Sequence, residues 1–163
     1  TGDKEMHFQI GAHPAFYWPD FDASTQERGF FGFDKKEDVK YILISEKGCA
    51  DPSAEYSLEL ADGLLPLDIH TFDKDAFILE NEQVHKVTLY TKEKKACLSL
   101  HFHTPVVGLW SPPAKNAPFV CIEPWYGRCD RAHYTGEYKD KDWMQHLHPD
   151  KTFKGGYTIE IEE

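Results

Sequence analysis

Ala96-Cys97-Leu98-Ser99-Leu100-His101-Phe102 decides the fold. Successive side chains of an extended chain point to opposite faces, so Ala96, Leu98, Leu100 and Phe102 share one side. A 3.6-residue period would scatter them, and the stretch therefore reads as a half-buried β-strand. The same alternation recurs at Met6, Phe8 and Ile10, at Tyr56, Leu58 and Leu60, and at Tyr157, Ile159 and Ile161. Short apolar runs at 39–44, 76–79, 84–90, 106–110 and 119–122 add further strands. Turn chemistry separates them: Glu46-Lys47-Gly48, Ala61-Asp62-Gly63, Glu80-Asn81-Glu82 and Lys154-Gly155-Gly156. Only 136–147 has room for a short helix. Regularly spaced short strands predict an all-β fold, a sandwich or barrel of antiparallel strands. Three long stretches, 14–33, 111–118 and 125–142, read as irregular, and loops of that length tend to carry function.

The chain has 163 residues, which predicts a single domain over 1–163 with a sizeable core. Eighteen Lys and Arg against 28 Asp and Glu give a net charge of −10. Nucleic acid and anionic membrane surfaces would repel such a protein, so neither is an expected partner. No run approaches the roughly 20 apolar residues of a membrane span. Aromatic residues make up 14% of the chain, more than a modest core requires, so some rings are expected to line a binding surface. The cysteines at 49, 97, 121 and 129 lack zinc-knuckle or redox spacing, which fits reduced thiols and a cytoplasmic location. Thr1-Gly2-Asp3-Lys4 reads as a turn entering a strand already under way, so the expectation is a sandwich lacking its N-terminal strands.

Two segments place acid–base side chains beside strand ends. In Gly11-Ala12-His13-Pro14-Ala15-Phe16, Pro14 stiffens the backbone just after a histidine suited to proton transfer near neutral pH. In Phe119-Val120-Cys121-Ile122-Glu123-Pro124-Trp125-Tyr126-Gly127, alternation puts Phe119, Cys121 and Glu123 on one face, with Val120 and Ile122 on the other. A carboxylate there would be partly desolvated and its pKa raised, as a general base requires. Each also has an ordinary reading, a corner histidine and a solvent-facing strand-end glutamate. Asp75 stands where a polar turn meets the apolar strand 76–79, placed either to hold a ligand hydroxyl or simply to turn the chain. His101 and His103 share a strand face and read as polar surface or sugar contacts rather than metal ligands, since no convergent third ligand follows.

Taken in order, these segments resemble the C-terminal part of the aldose 1-epimerase (galactose mutarotase-like) family, most closely its LacX-like bacterial branch. The carrying motifs are GAHPAF (11–16), KDAFIL (74–79), GLWSP (108–112) and CIEPWYG (121–127), and the resemblance runs over nearly the whole chain. Asp150 departs from it, standing where the family's segment before the last strands has glycine. The resemblance implies a large antiparallel β-sandwich, the galactose mutarotase-like supersandwich, binding a monosaccharide in an open cleft. It implies an isomerase that interconverts α and β anomers at C1, with His13 as acid and Glu123 as base and neither metal nor organic cofactor. Asp75, Phe16, Trp110 and Trp125 become the expected sugar contacts, with Trp18 a further candidate for a cleft wall. Family members are longer, so this length alone is expected to be inactive and to leave an edge for an upstream segment or a homodimer partner to cover. Two alternatives stay open: a carbohydrate-binding module without chemistry, and a sugar-phosphate epimerase, which would need a basic cluster drawn from Arg28, Arg128 and Arg131.

Overall fold

Alternation of the kind seen at 96–102 is satisfied by stacking two sheets so that their apolar faces meet. The computed structural model describes residues 2–162. In chain order the strands are β1 (Met6–Phe8), β2 (Ile10–Gly11), β3 (Ala15–Tyr17), β4 (Glu27–Phe33), β5 (Lys40–Ile44), β6 (Ala50–Ser57) and β7 (Leu64–Asp68). They continue with β8 (Phe77–Glu80), β9 (Lys86–Tyr90), β10 (Ala96–Phe102), β11 (Val106–Trp110), β12 (Phe119–Tyr126), β13 (Gln145–Leu147) and β14 (Tyr157–Ile161). One sheet runs β14-β10-β9-β4-β7 and the second β2-β12-β11-β8-β5-β6, with β3 also along β12; β1 and β13 form a separate two-stranded ribbon. The pairings between these strands are antiparallel.

The core lies between the two larger sheets. Phe31 and Phe33 of β4, Val87 and Leu89 of β9, and Leu100 and Phe102 of β10 face Phe77 and Leu79 of β8, Val107 and Leu109 of β11, and Val120 and Ile122 of β12. Intervening residues of the second sheet point the other way. Ile42, Ala76, Ile78 and Val106 form a smaller apolar cluster on that outer face, joined by Trp110, Trp125 and Trp143. The second sheet is thus apolar on both sides, and its outer face is the floor of the cleft described below.

Several expectations change here. The region 14–33, read as irregular, holds β3 and β4, and β4 lies inside the five-stranded sheet between β9 and β7. Two glycines hide it. Gly29 takes φ 106° at a bulge against the Tyr90 carbonyl, and a Cβ on Gly32 would lie 2.7 Å from the Tyr90 ring. Strand β7, which contains Pro66, also went unread, and the strand anticipated at 56–60 lies earlier, at β6. The helix expected within 136–147 is a single 3-10 turn at Tyr138–Asp140 followed by strand β13. Among the described residues no helix is long and apolar enough to cross a membrane. Trp18 is a core residue 2% exposed, its indole N–H donating to the Ala117 carbonyl at 3.1 Å, and not a cleft wall. The four cysteines are free thiols.

Leu109 is fully buried between the sheets. Leu109→Ala should cost about 2–5 kcal/mol, read from the midpoint of urea unfolding. A midpoint equal to the parent's would show that this face is not the one that holds the sheets together.

Candidate active site

Strand β12 organises the outer face of the second sheet. Its inward residues, Val120 and Ile122, are locked in the core, so Cys121, Glu123 and Trp125 must face outward. On one side β11 sets Trp110 opposite Cys121, Gly108 opposite Glu123 and Val106 opposite Trp125. On the other side Gly11 of β2 faces Trp125 and Ala15 of β3 faces Cys121. The residue midway between Gly11 and Ala15 is His13, which therefore lies across from Glu123. Its Nε2 is 3.4 Å from Glu123 Oε1. Pro14 breaks the ladder beside it, separating β2 from β3, while the Ala12 N–H still donates to the Pro124 carbonyl at 3.0 Å.

Exposure divides the pair. The His13 side chain is 62% exposed and that of Glu123 only 4%. Burial pushes the Glu123 carboxyl up to about 7; the neighbouring Asp75 carboxylate adds to this, and the Trp125 indole N–H works against it. Trp125 is positioned by absent side chains: a Cβ on Gly108 would come within 2.6 Å of its ring, and one on Gly11 would collide with it. Its indole N–H donates to the Ala12 carbonyl at 3.2 Å. Trp110 meets the His13 ring edge-on at 5.8 Å.

These residues share one open cleft of about 510 Å³, whose lining includes His13, Asp75, Trp110, Glu123, Trp125 and Arg128. That volume is of the size that holds a small ligand. Five of the six side chains expected from sequence therefore converge. Asp75 reaches the rim from a turn in which it adopts φ 74° and its Oδ1 accepts the Ala76 N–H at 2.7 Å. A non-glycine residue in that region is uncommon and is retained where its surroundings demand it. Phe16 is the exception: it packs against the inter-sheet core, on the opposite face of the sheet from Glu123. His13, Cys121 and Glu123 bring potential metal-ligand atoms within 4.8 Å of one another. Burial and the Glu123 charge push the Cys121 thiol up to about 12, so it keeps its proton near neutral pH.

One wall of the cleft was invisible to the sequence. Arg128, its side chain 2% exposed, donates from Nε to Glu80 at 2.6 Å and from a terminal nitrogen to Asp142 at 2.7 Å. The Trp143 indole N–H donates to the same Glu80 oxygen at 2.6 Å, and Arg131 also pairs with Asp142. Burial opposes ionising Asp142, but the hydrogen bonds and charges of Arg131 and Arg128 outweigh it and hold the carboxyl below its usual range. The loop carrying these arginines is tied to the start of β6: Ala50 N–H donates to Asp130, and Ala132 N–H donates back to Ala50. The sequence offered Arg128 only as one of three arginines for the sugar-phosphate alternative.

No family model matches the chain. Protein LacX of Lactococcus lactis subsp. lactis, in its plasmid and chromosomal forms, is 29% identical over 161 residues, 98% of this chain and 54% of LacX. A galactose mutarotase related enzyme from Lactobacillus acidophilus superposes with a TM-score of 0.84 at 30% identity, over 99% of this chain and 54% of its own. A galactose mutarotase-like protein from Lactobacillus casei, 22% identical, shares the fold with a TM-score of 0.78 over 98% of this chain and 54% of its own. The chain thus has the galactose mutarotase-like fold and spans about half the length of the relatives it matches.

The raised Glu123 pKa makes stability depend on pH. The folded protein holds this proton more tightly than the unfolded chain, so stability falls as pH rises from about 4.5 to about 7. At pH 8 the buried carboxylate should cost on the order of 3 kcal/mol relative to pH 4. Glu123→Gln should remove that loss, so that urea midpoints of parent and variant diverge in the variant's favour between pH 5 and pH 8. Parallel midpoints would mean that Glu123 titrates as an ordinary carboxyl.

Proposed function

We propose that the protein containing this chain interconverts the α and β anomers of a free aldose at C1. The observation that carries the proposal is the pairing of His13 with a buried Glu123 of raised pKa in a cleft walled by Trp110 and Trp125. The similarity to galactose mutarotase related proteins supports a carbohydrate substrate.

Mutarotation requires a proton to leave the C1 hydroxyl while another reaches the ring oxygen. Both oxygens are bonded to the same carbon, so two groups 3.4 Å apart can address them together. Ionised Glu123 takes the hydroxyl proton and protonated His13 delivers one to the ring oxygen. The C1–ring oxygen bond breaks and the open aldehyde forms. Rotation about C1–C2 turns the other carbonyl face toward the ring oxygen's hydroxyl. Closure reverses both transfers, Glu123 returning its proton to the oxygen on C1 and His13 recovering its own. A carboxyl with a pKa near 7 can both accept and return a proton near neutrality.

Trp110 and Trp125 offer rings to the apolar face of a sugar, and Asp75 offers a carboxylate to its hydroxyls. A phosphorylated sugar is poorly served. Arg128 is the one guanidinium in the lining, and it is already shared between Glu80 and Asp142. Among the described residues neither Lys nor a second Arg lines this cleft, and Arg28 is buried elsewhere, donating to Thr25 and Glu27 carbonyls.

Polarimetry or NMR on freshly dissolved α-glucose and α-galactose tests the reading. Glu123→Gln should lower the catalysed rate by about 10²–10⁴-fold. The parent's rate should fall as pH drops below about 7, where Glu123 takes up its proton and no longer serves as the base. Equal rates for parent and variant across a sugar panel would overturn the catalytic assignment. Saturable sugar binding without any acceleration would instead identify a carbohydrate-binding module.

A further inference from the structure

A second cluster of ligand-type side chains lies away from the cleft, on the β1–β13 ribbon. The antiparallel register sets His7 directly opposite His146. Two residues back from His7 is Glu5, and two residues on from His146 is His148. Side chains two apart share a face of a strand, so all four project from the same side of the ribbon. The Nδ1 atoms of His7 and His146 are 3.0 Å apart. Glu5 Oε2 lies 3.8 Å from His7 Nε2 and 3.9 Å from His146 Nδ1, and its other oxygen is 3.1 Å from His148 Nδ1. One ligand atom each from Glu5, His7 and His146 falls within 4.8 Å of the others.

We propose that Glu5, His7 and His146 bind a divalent transition-metal ion of the zinc class, with His148 holding the Glu5 carboxylate in position. With zinc–nitrogen bonds of about 2.0–2.1 Å, two tetrahedral ligand nitrogens sit roughly 3.3 Å apart. The two Nδ1 atoms are already near that separation, and the rings would turn to aim both lone pairs at the ion. Imidazole with carboxylate suits zinc and its neighbours rather than calcium or magnesium, which favour all-oxygen shells. Three protein ligands leave a fourth position open to water. A carboxylate fixed by a further histidine is the outer support that ligating groups commonly have. The ion would join two strands far apart in sequence and pin the end of the 128–144 segment to the strand that leads into β2.

Isothermal titration of the protein with Zn²⁺ tests this. One ion per chain is expected, with the imidazole proton resonances of His7 and His146 shifting together up to one equivalent. His7→Ala and His146→Ala should each weaken binding by more than the ~10–100-fold that loss of an outer support costs, and His148→Ala by about that amount. His13→Ala, which alters the other His-containing cluster, should bind as the parent does. Far-UV circular dichroism checks that each variant is folded, and Glu5→Gln provides an isosteric substitution if an alanine variant is not. Absence of saturable binding, or parent-like affinity in the folded His7, His146 and Glu5 variants, would overturn the site and leave an ordinary histidine–histidine hydrogen bond.

Discussion

The register of β12 against its two neighbours is the constraint on which the rest depends. Segment 11–15, β12 and β11 present a grid of nine outward positions: Gly11, His13 and Ala15; Trp125, Glu123 and Cys121; Val106, Gly108 and Trp110. Each row needs its members. Glu123 is flanked by a histidine that can exchange its proton and by a glycine that leaves space for the Trp125 ring. A slip of one residue would turn Glu123 into the core and Ile122 into the cleft. The hydrophobic contact between the sheets forbids this, because Val120, Ile122, Val107 and Leu109 can be buried in only one register. The inter-sheet core therefore sets where His13 and Glu123 meet.

That arrangement sets two kinds of buried charge against each other. Arg128 is matched by the carboxylates of Glu80 and Asp142 and by the Cys129 carbonyl, so its burial is compensated. Glu123 has a half-exposed histidine, which answers its charge only when protonated, and a nearby carboxylate raises its cost further. The compensated group is a wall, and the uncompensated one is where a proton can move at little cost. Perturbed carboxyls of this kind concentrate at reactive positions.

Alternation exposed β10 and β14, short apolar runs exposed β5, β8, β9, β11 and β12, and the sequence also named His13, Asp75, Glu123, Trp110 and Trp125, which the fold then brought together. Strand β4 was lost because Gly29 and Gly32 serve Tyr90 through space, a need that local propensity does not encode. Phe16 was misplaced by adjacency: it follows His13 by three residues, and an odd offset along a strand reaches the opposite face. Trp18 was credited to the cleft on its aromatic type alone, although it is buried in the core. Arg128 was legible only as a possible phosphate contact, because its partners are 48 residues back and 14 residues on, and no spacing rule connects them. The histidine ribbon was missed for the same reason, its halves being 139 residues apart.

The loop after β12 is stitched to Ala50 by backbone hydrogen bonds on both sides and to Glu80 through Arg128. Ala50 begins the strand at the far edge of the second sheet, and Glu80 ends a strand in its middle. The wall and the floor of the cleft are thus one mechanical body rather than a lid over a base. A ligand would enter a space already shaped, with little ordering entropy to lose on binding and no hinge to wait for on leaving.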